Sequence, residues 1–245
     1  GVVRAVDIVN TALRMYGAPI YVRKEIVHNS HVVKSLREAG AIFVESLAEV
    51  PRGSIIIFSA HGVPPTVLLE AQERGLRIID ATCPLVTKVH NEAIRFARQG
   101  HSVVLVGHKD HDEVIGTAGE APGVIQVIST VEEVAHLDVP DPDKVAVITQ
   151  TTLSLDDTRE VLQALRKRFP KMVLPPKEDI CYATQNRQNA VKEMAKHVDV
   201  VFVLGSANSS NAQRLREVAQ EAGARAFLID HPQDIEPRWI EGASA

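Results

Sequence analysis

Residues 66–90 read TVLLEAQERGLRIIDATCPLVTKVH, and their pattern decides the fold class. The first ten carry apolar residues at helical spacing and end at Gly75, a residue suited to the left-handed turn after a helix. RIIDA (77–81) is then a short run typical of a buried strand. Cys83 and Pro84 follow, with the proline opening a second helical pattern. The unit is helix, glycine, strand, loop, helix.

The same order recurs along the chain. Strands are expected at IYVR (20–23), AIFV (41–44), SIIIFSA (54–60), SVVLVG (102–107), VIQVIS (124–129), KVAVITQ (144–150), VVFVLG (200–205) and RAFLID (225–230). They are short, continuous and rich in Ile and Val, as strands covered on both faces are. Helical patterns in VVKSLREAG (32–40) and EAIRFARQG (92–100) also stop at glycine. SLDDTREVLQALRKRF (154–169) has Ser154 as N-cap, acid in its first turn, base in its last, and Pro170 behind it. Alternating strands and helices predict an α/β fold with mostly parallel sheets. Proline-rich stretches near 139–144 and 174–179 suggest three small α/β units at 1–83, 84–179 and 180–245.

The 245 residues are 45% hydrophobic and 24% charged, an ordinary globular composition. The net charge of −4, without a basic stripe, argues against nucleic acid as a partner. No apolar run has the length of a membrane span. Two cysteines argue against a disulfide scaffold and for a reducing, cytoplasmic setting. The chain starts at Gly1 inside the amphipathic pattern VVRAVDIVNTAL (2–13), so a fragment of a longer protein is expected.

Ligands of parallel α/β sheets bind beyond the carboxyl ends of the strands. There the sequence places His28, His61, Cys83, His108, His111, Glu113, Thr151, Thr152, Ser209, Ser210 and Asn211. Each has a plainer reading. HKDHDE (108–113) has His-x-x-His spacing for a metal, or is a solvated loop. GSANSSN (205–211) could bind an anion at a helix start, or simply cap that helix. It lacks the glycine spacing of a nucleotide fingerprint. Cys83 and Cys181 both precede helical runs, where a thiolate is favoured and can ligate metal; the alternative is two inert thiols. Their coincidence at strand ends is what points to a shared site.

Seven stretches, in order, resemble the 4-hydroxy-3-methylbut-2-enyl diphosphate reductase family. They are YGAPIYVRKEIVHN (16–29), IIIFSAHGV (55–63), DATCPLVTKVH (80–90), VGHKDHDEVIGT (106–117), ITQTTLSLDDT (148–158), KEDICYATQNRQ (177–188) and GSANSSNAQRL (205–215). The resemblance implies a trefoil of three α/β units around a central cavity, and an oxygen-sensitive 4Fe–4S cluster held by three cysteines. Cys83 and Cys181 match two of them; the third belongs to a G-F-C-x-G motif whose last glycine matches Gly1, so it is expected just before this sequence begins.

The implied reaction is reductive dehydroxylation of an allylic diphosphate to isopentenyl and dimethylallyl diphosphates. Electrons would come from a ferredoxin or flavodoxin type donor. Glu113 matches the proton source, Thr151 the hydroxyl contact, and His28, His61, His111, Thr152, Ser209, Ser210 and Asn211 the substrate-binding set. Ser244, in RWIEGASA (238–245), matches a diphosphate contact, although the link after Trp239 is shorter than the family pattern. Two other readings are open: a diphosphate-binding remnant without a complete cluster, and a zinc hydrolase built on His108, His111 and a cysteine.

Overall fold

The computed structural model describes residues 1–244, which fold into three all-parallel sheets flanked by helices. The strands are β1 (Ile20–Arg23), β2 (Ala41–Val44), β3 (Ile55–Phe58), β4 (Arg77–Asp80), β5 (Ser102–Val106), β6 (Ile125–Ile128), β7 (Val145–Thr149), β8 (Val200–Leu204) and β9 (Arg225–Ile229). Each expected strand is present, unchanged or trimmed by one or two residues at one or both ends. The α-helices are α1 (Val2–Tyr16), α2 (Ser30–Glu38), α3 (Pro65–Glu73), α4 (Pro84–Arg98), α5 (Asp112–Ala118), α6 (Leu155–Arg168), α7 (Tyr182–Met194) and α8 (Ser210–Glu221).

By contacts the chain divides into two compact units. One comprises Gly1–Val27, His31–Gln150 and Glu160–Asp179; the other comprises His28–Ser30, Thr151–Arg159 and the chain from Ile180 on.

The first unit holds two sheets, ordered β2-β1-β3-β4 and β6-β5-β7. In each, the order reverses. After β1 the chain adds β2 on one side, then β3 on the other; after β5 it adds β6, then β7 on the opposite side. Successive crossovers therefore diverge between β1 and β3, and between β5 and β7. These are the switch points where parallel sheets leave a crevice at their carboxyl ends. Beyond β7, Val147 donates to the Val173 carbonyl at 2.9 Å and Val173 to the Val145 carbonyl at 2.9 Å, so residue 173 covers that edge. Every residue of β7 is buried, Ala146 and Ile148 against Val89, Ala93 and Phe96 of α4. The second unit contains the pair β8-β9.

The glycine punctuation has a specific cause. Gly75, Gly100 and Gly223 follow α3, α4 and α8 with φ of 67°, 77° and 99°. After α4, Gly100 donates to the Ala97 carbonyl at 3.0 Å and His101 to the Phe96 carbonyl at 3.1 Å. The same pair of bonds closes α3 and α8. This is a Schellman ending, which satisfies the last helical carbonyls and turns the chain. At all three places the next strand starts two residues later. A Cβ on Gly100 would meet nothing within 4 Å, so its conformation alone requires glycine. Gly100→Ala is expected to lower the unfolding free energy by about 1–2 kcal/mol. Urea denaturation checks this, and an unchanged midpoint contradicts it.

Candidate functional site

In the first unit, four chain segments carry polar groups at the strand ends. Behind β3, the Oγ of Ser59 lies 3.3 Å from Nδ1 of His61. Behind β4, Cys83 donates its backbone N–H to the Ala60 carbonyl at 3.0 Å, which places it alongside the segment leading to His61. Behind β5, His111 is the N-cap of α5 and its Nδ1 accepts from the backbone N–H of Glu113 at 3.2 Å. A backbone N–H only donates, so Nδ1 is the bare nitrogen and the neutral ring carries its proton on Nε2. The rings of His61 and His111 meet edge to face, centroids 5.6 Å apart. Glu113 is buried at 3% exposure. Behind β1, Lys24 is held at φ 56° and pairs with Asp112, the first residue of α5. A non-glycine residue with positive φ is uncommon, and such residues cluster at functional sites.

Between β5 and β7, Gly107 admits a close approach. A Cβ there would lie 2.7 Å from Val114 and 3.1 Å from Gln150. Buried Gln150 accepts the His108 N–H at 3.0 Å, fixing the start of the HKDHDE loop. His108 itself is exposed.

Cys83 is the N-cap residue of α4, and its thiol makes no capping bond. Gly1 packs against it: a Cβ on Gly1 would sit 2.6 Å from Sγ. Arg4 donates to the Thr82 carbonyl at 2.9 Å, seating α1 on the same loop. Further along α4, Lys88 bonds the buried carboxylate of Asp179 at 2.5 Å. The other Asp179 oxygen accepts the Thr149 N–H, at the end of β7, at 2.9 Å. Burial pushes the Asp179 carboxyl up, against the opposing pull of Lys88 and that N–H.

His90 lies on the apolar stripe of α4, with Val86, Val89, Ala93 and Phe96. Its Nδ1 is 2.7 Å from Glu120 Oε1. Burial holds the ring below the usual imidazole range, against the pull of the Glu120 and Asp80 carboxylates.

In the second unit, Cys181 caps α7, again without a side-chain capping bond, and donates its N–H to the Thr151 carbonyl at 2.9 Å. Both cysteines are free and half-buried. Thr151 is buried; Thr152 donates its hydroxyl to Ser210 Oγ at 2.9 Å. Ser209 caps α8, its Oγ accepting from Ala212 N–H at 3.3 Å, so the plain capping reading of that serine holds. Ser210 and Asn211 begin the helix. Gly205 permits this turn, since a Cβ would lie 2.6 Å from the Ala212 Cβ. Half-buried His28 belongs to this unit too; nearby, Ser30 donates its N–H to Ser206 Oγ at 2.8 Å.

Ser244 is not brought to this group. Its N–H and hydroxyl both bond Asp199 Oδ2, at 2.7 and 2.8 Å. Asp199 precedes β8, whereas Ser209, Ser210 and Asn211 follow it, so Ser244 sits at the opposite end of the strand. The acceptor at Asp199 captures both donors of the serine.

The residues that sequence reasoning passed over are Lys88, His90, Glu120, Gln150 and Asp179. For His90 a signal existed: a histidine on the apolar stripe of a helix. No described helix is long and apolar enough to cross a membrane.

The comparisons with known proteins agree with one another. A family model described as LytB protein matches residues 1–245. The 4-hydroxy-3-methylbut-2-enyl diphosphate reductase of Aromatoleum aromaticum is 58% identical over 241 residues, covering 98% of this chain and 77% of that protein. A Mycobacterium tuberculosis reductase of the same name, numbered 2, is 57% identical over 245 residues, covering 100% and 73%. A solved structure of the E-1-hydroxy-2-methyl-but-2-enyl-4-diphosphate reductase from Plasmodium falciparum superposes with a TM-score of 0.96 at 40% identity, covering 99% of this chain and 76% of that one. A second, described as the terminal enzyme of the non-mevalonate pathway, gives 0.69 at 32% identity, covering 99% and 85%.

His90 supplies a pH test of the first unit. Its folded pKa lies below the unfolded value of about 6.5, so the folded state binds its proton less readily. Its contribution is present above that unfolded value and is lost as pH falls through the depressed folded one. Urea stability of the wild type is expected to drop more steeply than that of His90→Gln between pH 7 and 5. Equal slopes contradict the assignment.

Proposed function

The chain belongs to the LytB protein family, and from that premise we propose how its own residues serve the reduction of 4-hydroxy-3-methylbut-2-enyl diphosphate. That reduction is its activity, a step of the non-mevalonate isoprenoid pathway. Two electrons and two protons enter, the allylic C–O bond breaks, the oxygen leaves as water, and a C–H bond forms. The products are isopentenyl and dimethylallyl diphosphates.

Family membership implies a 4Fe–4S cluster. The donor chemistry fits: Cys83 and Cys181 are free, half-buried, and stand at helix N-caps with thiols not used in capping. Cysteine thiolates are the usual protein ligands of such clusters. We assign both as ligands. The third is expected on the family's residue just before Gly1, whose backbone already abuts Cys83 Sγ. When bound, the cluster supplies single electrons and a Lewis-acidic iron for the departing hydroxyl. A ferredoxin or flavodoxin type protein is the proposed electron donor.

The observation that carries the residue assignment is the His61–His111–Glu113 group at the two switch points of the first unit. The Glu113 N–H fixes the tautomer of His111, so its Nε2–H is a donor suited to a diphosphate oxygen. His61 meets it edge to face and serves the same anion. Buried Glu113 is assigned as the proton source for the leaving oxygen, with Thr151 contacting the substrate hydroxyl. His28, Thr152, Ser210 and Asn211 remain assigned to the diphosphate, as does Ser209 through its helix-terminal position. Ser244 is left out because it bonds Asp199. Neutral donors replace a lysine–arginine cluster here, and their strength depends on dense hydrogen bonding to the charged ligand.

Glu113→Gln keeps the shape and backbone bonds but has no acidic proton. It is expected to lower turnover by about 100-fold or more while leaving iron content unchanged. Anaerobic assay with a chemical reductant measures this. Wild-type turnover in the variant, with iron retained, removes Glu113 from the role.

A further inference from the structure

Resting on the function proposed above, we propose that His90, oriented by Glu120, is a positioning residue for His61 on one side and for His111 and Glu113 on the other. The ring is an odd choice for its place. It occupies the buried stripe of α4 with 8% exposure, among Val86, Val89, Ala93 and Phe96. A leucine would fill that stripe without a polar atom. Here Nδ1 donates to Glu120, and Nε2 is buried without a hydrogen-bond partner among the described residues. Burying an unpartnered acceptor is unfavourable, so the ring is not explained by packing alone.

Its surroundings supply the reason. The free edge of the ring faces two glycines. A Cβ on Gly62 would lie 3.1 Å from Cε1 and 3.2 Å from Nε2; a Cβ on Gly116 would lie 3.4 Å from both. Gly62, at φ 80°, directly follows His61. Gly116 lies three residues after Glu113, hence one turn along the same helix. The two glycines also approach closely: a Cβ on Gly116 would be 3.5 Å from the Gly62 carbonyl carbon. One on Gly119 would be 2.4 Å from the Pro64 Cβ. The imidazole edge is thus the spacer between the turn that carries His61 and the helix that carries His111 and Glu113. Glu120, just beyond the end of α5, sets the plane of the ring. Turning the ring moves the His61–His111 edge contact, and with it the placement of the proton source. The residue acts through these groups and does not touch substrate itself.

The test uses the cluster-loaded full chain under anaerobic conditions, with Glu120→Gln and Glu120→Met compared. Glutamine keeps an acceptor for Nδ1–H; methionine keeps the volume and removes it. Glu120→Met is expected to lower kcat by about 10- to 100-fold, as a misplacement of about 1 Å does, with a smaller change in KM. It should also weaken inorganic pyrophosphate binding in calorimetry, with iron content unchanged. Glu120→Gln should restore kcat to within a few fold of wild type. A wild-type kcat in Glu120→Met overturns the inference. So does a loss in Glu120→Gln greater than tenfold, which stands as a test even if the methionine variant does not fold. A wild type that binds pyrophosphate but does not reduce the allylic diphosphate defeats the functional reading first. An active wild type with unaffected variants defeats this inference alone.

Discussion

Parallel pairing is the constraint from which the rest of this structure follows. Every strand enters its sheet from the same end, so in each sheet the carboxyl ends share one edge. Each return journey needs a crossover: α2, α3, α5 and α8 make four of them, and short 3-10 turns at Leu47–Glu49 and Glu132–His136 lie in the other two. Where the strand order reverses, two crossovers leave in opposite directions and the edge stays open. His61 stands at one such reversal, after β3 beside β1. His111 and Glu113 stand at the other, after β5 beside β7. The proposed chemistry is therefore assigned to the strand-end crevices that the topology leaves.

Buried polar groups then fix these edges to the helices behind them. Asp179 engages Lys88 on α4 and the Thr149 N–H at the end of β7. Thr149 stands two residues before Thr151, Lys88 five residues after Cys83, and Asp179 two residues before Cys181. Breaking such a pair by removing one partner typically costs about 3–5 kcal/mol, because the remaining charge is stranded. The reason to keep a charge pair there is geometric: one carboxylate ties together chain segments that each run on to a residue assigned to the proposed site. His90 and Glu120 do the same between α4 and α5.

Much of this was legible in the sequence. Ile- and Val-rich runs such as IIIF at 55–58 announce buried parallel strands, and the glycines that end two of the helical patterns, Gly75 and Gly100, proved to be Schellman turns feeding strands. Strand order was not legible, because pairing depends on long-range packing that no local pattern encodes. For the same reason nothing in VTKVH or KED marked Lys88, His90 or Asp179 as partners of distant groups. Ser244 shows the opposite limit. Its motif was recognisable, yet a local acceptor at Asp199 holds it at the amino end of β8. Residue type at a strand end told what chemistry was possible; only the fold told which groups meet.

On the proposed function, Cys83 and Cys181 hold an iron–sulfur cluster for the reduction. Anaerobic reconstitution of the full-length protein and of its Cys83→Ser and Cys181→Ser variants, followed by iron, sulfide and zinc analysis with visible absorption, tests it most directly. Iron and sulfide in near-equal amounts, with thiolate-to-iron absorption, are expected in the unsubstituted protein, and loss of both in each variant. Stoichiometric zinc in place of iron, or iron and sulfide unchanged in both variants, would contradict it.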